Sequence, residues 1–428
     1  MRLSIANYAG LLTALVTMMG CGASTTDKNV DAGASMGASG VGGVPGIGGA
    51  SGIGGTPGVG GASEPDCGSD VVEDGFVEVP ASDPGIRYLG RLDFSDPNAP
   101  VMAFPAVTIE TQFEGDAIDM RLAETAPGGA MRSEYYDVSI DQGAPTKLLT
   151  CPEREVYPLA RDLAQGTHRV RISKRTEAQV GSASFLGFRV RENTTLQAPD
   201  APLRRLEFVG DSITCGYGDE VSTTDPDSFP FTSTNENALL AYGPVTAAAL
   251  DADVAVVAAS GRGVVRNYGG GAGATVPEFY DRTAPDTASA AWDFSRYTPD
   301  VVVINLGTND FSIGLTTDEL PAMRESLRQT YTDFLAHLRE LYPSAALIAA
   351  VGPMMSDSYP TGYQAWTSIR ADVQEAIAAR TTAGDSNVHY LEFATQTSPY
   401  GEDWHPTAAT HQGMADELTA LIRQLQGW

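Results

Sequence analysis

The sequence predicts two kinds of sheet in one chain: an antiparallel β-sandwich over residues 70–198, then an α/β domain with a parallel sheet over 202–428. Three observations carry this. After a Gly-rich N-terminal part, about 360 residues remain, more than one hydrophobic core usually organises. Residues 71–190 run in short alternating stretches broken by turn residues, the period-2 pattern of half-buried strands. Beyond the Pro-rich QAPDAP at 197–202, near-continuous apolar runs alternate with helical stretches, which calls for a sheet covered on both faces.

The chain opens with Arg2, an apolar stretch at 11–19, then Gly20 and Cys21. That stretch is too short to span a bilayer and reads as the core of an export signal over 1–21. A small residue directly before Cys resembles a bacterial lipobox, which implies cleavage before Cys21, a lipid on that residue, and attachment to a membrane at the cell surface or in the periplasm. Plain secretion is the alternative, because Met18 stands where such motifs usually carry Leu. Residues 22–66 form a Gly-rich linker; 15 glycines fall within 22–65, with no aromatic residue and almost no charge. Such a segment buries too little apolar surface to offset its ordering entropy, so a tether of about 35–40 Å is expected.

The formal net charge is -27, with 54 acidic side chains against 27 basic ones. This excludes nucleic acid and anionic lipid surfaces as partners and leaves neutral glycans compatible. Of four cysteines, Cys67 and Cys151 can pair in an oxidising compartment, with Cys215 free. The spacing does not speak to oligomeric state.

Within the sandwich the strand candidates are 107–113, 117–124, 135–141, 168–175 and 183–190. In the α/β part they are 203–209, 254–259, 301–306, 347–351 and 389–393, with helices over 238–250, 317–341, 362–380 and 408–425. Ligands of parallel sheets bind beyond the carboxyl ends of the strands, so chemistry is expected there. Four blocks stand at those ends: GDSIT at 210–214, SGRG at 260–263, GTND at 307–310 and, before the last helix, EDWHP at 402–406. Each contains a type of group that acyl transfer requires. Ser212 supplies a hydroxyl nucleophile and His405 a base to take its proton. The N–H groups of Ser212 and Gly261, with the side-chain amide of Asn309, supply an oxyanion hole. A third group must orient His405.

These residues carry a resemblance. GDSIT, the Gly after the second strand, GTND and DWHP are similar to the blocks of the SGNH or GDSL hydrolases. The longer strings GDSITCGYGDE, SGRGVVRNYGG, GTNDFS and DWHPTAATH, with RYLGR at 87–91, resemble the family 2 carbohydrate esterases more closely. From about residue 80 onward, the resemblance implies a jelly-roll-like sandwich packed on a flavodoxin-like three-layer SGNH domain. It implies a serine esterase without cofactor or metal, which removes acetyl groups from xylan or manno-configured polysaccharides through an acetyl-serine. Carried over, Ser212 is the nucleophile, His405 the base, and Gly261 and Asn309 are oxyanion donors. The superfamily usually has Asp three before the His; here that position is Glu402, and Asp403 is the preferred third member. Glu402, or a main-chain carbonyl in a Ser-His dyad such as some family members use, remains open.

Blander roles stand beside these. GDS is also ordinary helix-start capping, and Gly261 can mark a backbone conformation that only Gly tolerates. Trp404 and Tyr217 are candidates to stack on a sugar or simply to pack. Cys215, three after Ser212, reads as a buried small hydrophobe, and His411 as structural. The sandwich reads as a wall of the cleft in preference to a glycan-binding module, because Trp is absent from 70–200. Two rival functions share the blocks: a lipid esterase or acetyltransferase on the same fold, and a non-catalytic glycan-binding surface lipoprotein.

Overall fold

The computed structural model describes residues 70, 73–125, 134–285 and 290–428. The expected signal, linker, Cys21 and Cys67 lie outside these residues.

Two antiparallel sheets form the first part. Their strands are β1 (Phe76–Pro80), β2 (Ile86–Leu89), β3 (Leu92–Asp93), β4 (Val101–Met102), β5 (Thr108–Glu114) and β6 (Ile118–Thr125). There follow β7 (Tyr135–Ile140), β8 (Thr146–Leu149), β9 (Val156–Ala160), β10 (Thr167–Lys174), β11 (Ser182–Arg191) and β12 (Leu196–Gln197). One sheet has the order β3-β4-β11-β6-β9 with β1 on β11; the other has β12-β5-β10-β7-β8 with β2 on β5. Inward residues such as Ile118, Met120 and Leu122, or Val170 and Ile172, recur every second position and fill the space between the sheets. The β6–β11 register slips between Phe185 and Gly187. At the slip Gly187 has φ +116° and lies so close to Val79 that a Cβ would strike its carbonyl, so Gly is needed there.

The second part is a parallel sheet, in the order β14-β13-β15-β16-β17. Its strands are β13 (Arg204–Gly210), β14 (Ala252–Ala258), β15 (Val301–Asn305), β16 (Ala346–Val351) and β17 (Val388–Glu392). The helices are α1 (Ser212–Cys215), α2 (Tyr242–Ala249), α3 (Val276–Phe279), α4 (Leu320–Leu341), α5 (Ala365–Thr382) and α6 (Ala408–Gln426). Every residue of β15 and β16 is buried. Val302 and Ile304 face a cluster with Leu327, Phe334 and Val373 of α4 and α5, whereas Val301 and Val303 face one with Met414, Leu418 and Ile422 of α6. Burial on both faces is why these strands read as unbroken apolar runs. Helix α2 begins at Tyr242, four residues later than its apolar pattern starts, because the Asn237 side chain accepts the Leu239 N–H and holds a turn there. Helix α4 begins at Leu320, with Pro321 in the first turn, where a missing N–H costs nothing.

The apolar cluster on the α4–α5 face continues into the sandwich, through Phe104, Ile109, Phe113, Phe185 and Phe188. Both arginines of RYLGR reinforce the join. Arg91, fully buried, pairs with Glu207 of β13 at 3.3 Å and lies over the Tyr280 ring at 4.3 Å. Arg87 bridges Glu110 of β5 and Asp253 of β14. Cys151 is in a disulfide and Cys215 is free and buried; Cys67, the expected partner of Cys151, lies outside the described residues.

Candidate active site at the strand ends

From β13 the chain passes to β14 on one side and returns to β15 on the other, so the topological switch lies at the end of β13. There the backbone turns sharply into α1. Asp211 caps the helix, its carboxylate accepting the Ile213 N–H at 3.1 Å, and Ser212 is the first helical residue. The capping role of GDS and a serine hydroxyl presented beyond the strand end are therefore two aspects of one turn. The Ser212 N–H is one of the helix-start donors without an intrahelical acceptor. Gly261, just past β14, has φ +75°, which strongly favours Gly. No acceptor for its N–H is seen among the described residues.

The carboxyl ends of all five strands contribute to a cavity of about 170 Å³. Its lining includes Ser212, Gly261, Asn309, Met355 and His405, from the segments after β13, β14, β15, β16 and β17 respectively. His405 Nε2 is 2.8 Å from Ser212 Oγ. On the other side of the ring, Nδ1 is 3.1 Å from the Glu402 carbonyl and 3.2 Å from that of Asp403. Two carbonyl oxygens can only accept, so the proton sits on Nδ1 and the Nε2 lone pair faces the serine hydroxyl. Burial pushes the imidazole pKa down to about 4, against the two carbonyls and the Asp403 charge, which hold it up.

Asp403 requires a correction. The sequence reading sets its carboxylate on His405; the structure turns it away, to accept from the Tyr217 hydroxyl at 2.7 Å and the Phe231 N–H at 3.2 Å. The cause is local: Asp403 and Trp404 both take left-handed backbone, φ +46° and +67°, which points the carbonyls at the ring. Glu402 does not reach His405 with its side chain either. It is buried and accepts from the Thr232 N–H and hydroxyl and from Asn235 Nδ2, tying the 222–236 loop to the His-bearing turn. The same turn swings the Trp404 indole out of the cavity lining, to donate to Asp227 at 2.9 Å and pack on Tyr400. Tyr217 does line the cavity, but His405 stacks on its ring at 4.0 Å and Phe231 packs at 4.3 Å, so that ring is occupied by protein. The Tyr217 ring is thereby covered on the cavity side, and Trp404 stands outside the lining of this cavity.

Asn309 Nδ2 donates to the Arg262 carbonyl at 2.9 Å and approaches Asp211 Oδ2 at 3.3 Å, which fixes the amide at the cavity wall. Its neighbour Asp310 accepts the N–H groups of Val264, Val265 and Arg266, clamping the loop that follows Gly261. Burial raises the carboxyls of Asp211 to about 7 and Asp310 to about 6, with backbone N–H donors opposing. Arg266 is a loop strut, donating to the carbonyls of Asp310, Ser312 and Ile313. Cys215 is fully buried and its thiol is pushed well up, so it is no rival nucleophile. Cys215, Glu177 and Glu236 bring three possible metal-ligand atoms within 4.8 Å of one another; burial raises all three pKa values.

The cavity residues that the sequence did not single out include Tyr268, Tyr359 and Gln179. Tyr268 lies within the quoted SGRGVVRNYGG string and was findable there; Tyr359 belongs to the loop after β16. Gln179 comes from the turn between β10 and β11, and no local pattern marks it. Arranged this way, a hydroxyl activated by a base and faced by free N–H groups can attack a carbonyl carbon and hold the oxyanion that results.

Two family models match the chain: Carbohydrate esterase 2 N-terminal over residues 88–199, and the GDSL-like Lipase/Acylhydrolase family over 208–412. The cellulase/esterase CelE of Acetivibrio thermocellus is 38% identical over 347 residues, 81% of this chain, and the chain spans 40% of the length of CelE. An acetylxylan esterase / glucomannan deacetylase of Cellvibrio japonicus is 30% identical over 353 residues, 82% of this chain and 91% of that one. A family two carbohydrate esterase from Clostridium thermocellum, solved in complex with cellohexaose, superposes with a TM-score of 0.71 at 36% identity, covering 80% of this chain and 99% of that chain.

Proposed function

The chain belongs to the family 2 carbohydrate esterases, and from that premise we propose that it hydrolyses O-acetyl esters on plant-type polysaccharides, xylan or glucomannan, through an acetyl-serine intermediate. The observation that carries this reading is the 2.8 Å approach of His405 Nε2 to Ser212 Oγ inside the cavity. Ser212 Oγ attacks the acetyl carbonyl carbon as His405 takes its proton. The oxyanion accepts from the N–H groups of Ser212 and Gly261, and from Asn309 Nδ2 as one of its hydrogens leaves the longer, 3.3 Å contact with Asp211. The bond to the sugar oxygen then breaks, and His405 returns the proton to that oxygen. Water repeats the sequence on the acetyl-serine, releasing acetate. The Glu402 and Asp403 carbonyls hold the ring throughout, so the site works as a dyad oriented by main chain.

The substrate class is supported by the names of the Cellvibrio relatives and by the glucan chain bound in the Clostridium structure. Acetate release from acetylated xylan, glucomannan and chitin fragments tests it; the expected order puts the first two ahead, and release from chitin fragments alone would overturn the substrate. Turnover of p-nitrophenyl acetate by Ser212→Ala equal to wild type would end the esterase reading. The export and lipid-anchor reading is also proposed, on residues 1–21 alone. Cys21→Ser should move the protein from the membrane fraction to the supernatant, and an unchanged distribution counts against a lipid at that residue.

A further inference from the structure

The turn between β10 and β11 reaches from the sandwich to the catalytic cavity, and it is held at both ends. At its base Lys174, fully buried, pairs with Glu134 at 2.7 Å, and the Thr176 hydroxyl donates to the same carboxylate at 2.8 Å. On the other domain, Arg175 pairs with Glu220 at 2.6 Å, and its carbonyl accepts the Ala238 N–H at 3.0 Å. Fixed in this way, the turn presents two side chains to the site.

Glu177 is fully buried. One carboxylate oxygen accepts the Ser260 N–H at 2.7 Å and the other accepts from Gln179 Nε2 at 2.6 Å, while the Glu177 N–H donates to Glu236 at 3.3 Å. Ser260 directly precedes Gly261. The Gly261 N–H lies in the peptide plane that follows Ser260, so the bond that holds the Ser260 N–H leaves only the Ser260 dihedrals to set where the next N–H points. Gln179 is the one side chain that the sandwich supplies among the described residues lining the cavity. A side-chain amide offers donors and an acceptor in one plane, which matches a sugar hydroxyl that both donates and accepts.

We propose that this turn is a working part of the active site: Glu177 is a positioning residue that sets the Ser260–Gly261 peptide, and Gln179 selects substrate by hydrogen-bonding the sugar that carries the ester. The inference rests on the esterase reading above and deepens it by giving the sandwich a share in rate and selection.

The test uses the full chain with two substrates, p-nitrophenyl acetate, which has no sugar, and an acetylated xylo-oligosaccharide. Gln179→Ala should raise KM for the oligosaccharide about tenfold, the worth of one hydrogen bond, and leave KM for the aryl ester within about twofold, while the donor lost to Glu177 lowers kcat alike on both substrates. An equal rise in KM on both substrates, or none on either, overturns the selecting role. Glu177→Ala should lower kcat on both about ten- to a hundredfold with little change in KM, and Glu177→Gln, which keeps an acceptor for the Ser260 N–H, should recover most of it. Wild-type kcat in Glu177→Ala, or no recovery in Glu177→Gln, overturns the positioning role. If Glu177→Ala does not fold, Glu177→Asp decides: its acceptor is drawn back by one bond, so kcat should fall, and unchanged kcat overturns the proposal. Failure of the esterase reading itself is seen separately, in wild type that releases no acetate.

Discussion

On Nδ1, His405 meets two neutral carbonyls instead of a charged carboxylate, and this changes what acid does to the site. The base works as neutral imidazole, so activity is present above its pKa and lost below it. With burial holding that pKa near about 4, kcat/KM for p-nitrophenyl acetate should stay level from about pH 8 to about pH 5 and fall by half near 4. An acid limb at about 6.5, the ordinary histidine value, contradicts the geometry. Asp403→Asn should cost at most about tenfold in kcat, since the carboxylate holds Tyr217 and Phe231; a loss near the ten-thousandfold of a triad aspartate would restore it to the ring. His411 links acid to folding in the same direction. It is buried, its Nδ1 accepts the Tyr242 N–H at 3.3 Å, and burial depresses its pKa to about 3. A depressed histidine contributes stability above its unfolded value, and that contribution is lost as pH falls toward the folded one. The urea midpoint should therefore drop between about pH 6.5 and 3, less steeply in His411→Gln. DWHP made His405 legible in the sequence, because base, turn and helix start lie within a few residues. The atom that orients it was not legible, because it depends on left-handed backbone at Asp403 and Trp404, two residues that do not announce it.

Between elements, Asp310 joins the segment after β15 to the loop after β14. Its buried carboxylate satisfies three N–H groups at once, those of Val264, Val265 and Arg266. Asp310→Ala leaves those donors unpaired, and each such buried group costs about 1–3 kcal/mol. A lowered urea midpoint together with a fall in kcat of at least about tenfold is expected, because the loop carries Gly261; Asp310→Asn should lose less. A variant with unchanged kcat would uncouple the loop from catalysis. In the sequence Asp310 is visible only as the last residue of GTND, since a ligand for three distant N–H groups leaves no local pattern. β13 to β16 were readable because burial on both faces makes each largely an apolar run, whereas β17, VHYLE at the sheet edge, is only partly buried. Strands β3, β4 and β12, of two residues each, were not, for pairing partners far along the chain define them.

Across the molecule, the two parts share an interior and a buried cation. Arg91 brings its charge to Glu207, which also accepts from the hydroxyls of Tyr280 and Tyr342. Arg91→Ala would strand that carboxylate and should cost about 3–5 kcal/mol in urea unfolding of the whole chain. Arg91→Met combined with Glu207→Leu should cost less than either change alone, because no buried charge is left over. A double variant as weak as the sum of the singles would refute the pairing. RYLGR was legible as a family feature, yet its physical reason, two arginines reaching from the sandwich to the parallel sheet, needed the tertiary arrangement. The Pro-rich stretch at 197–202 resembles a hinge where an engineer would cut to obtain a minimal catalyst. The shared interior forbids it: scissors there would part Phe104 from Phe279 and Arg91 from Glu207, and leave the second fragment lacking Glu177 and Gln179. Grafted onto another polypeptide, this catalyst has to travel as a single cassette, joined at its ends and never at its waist.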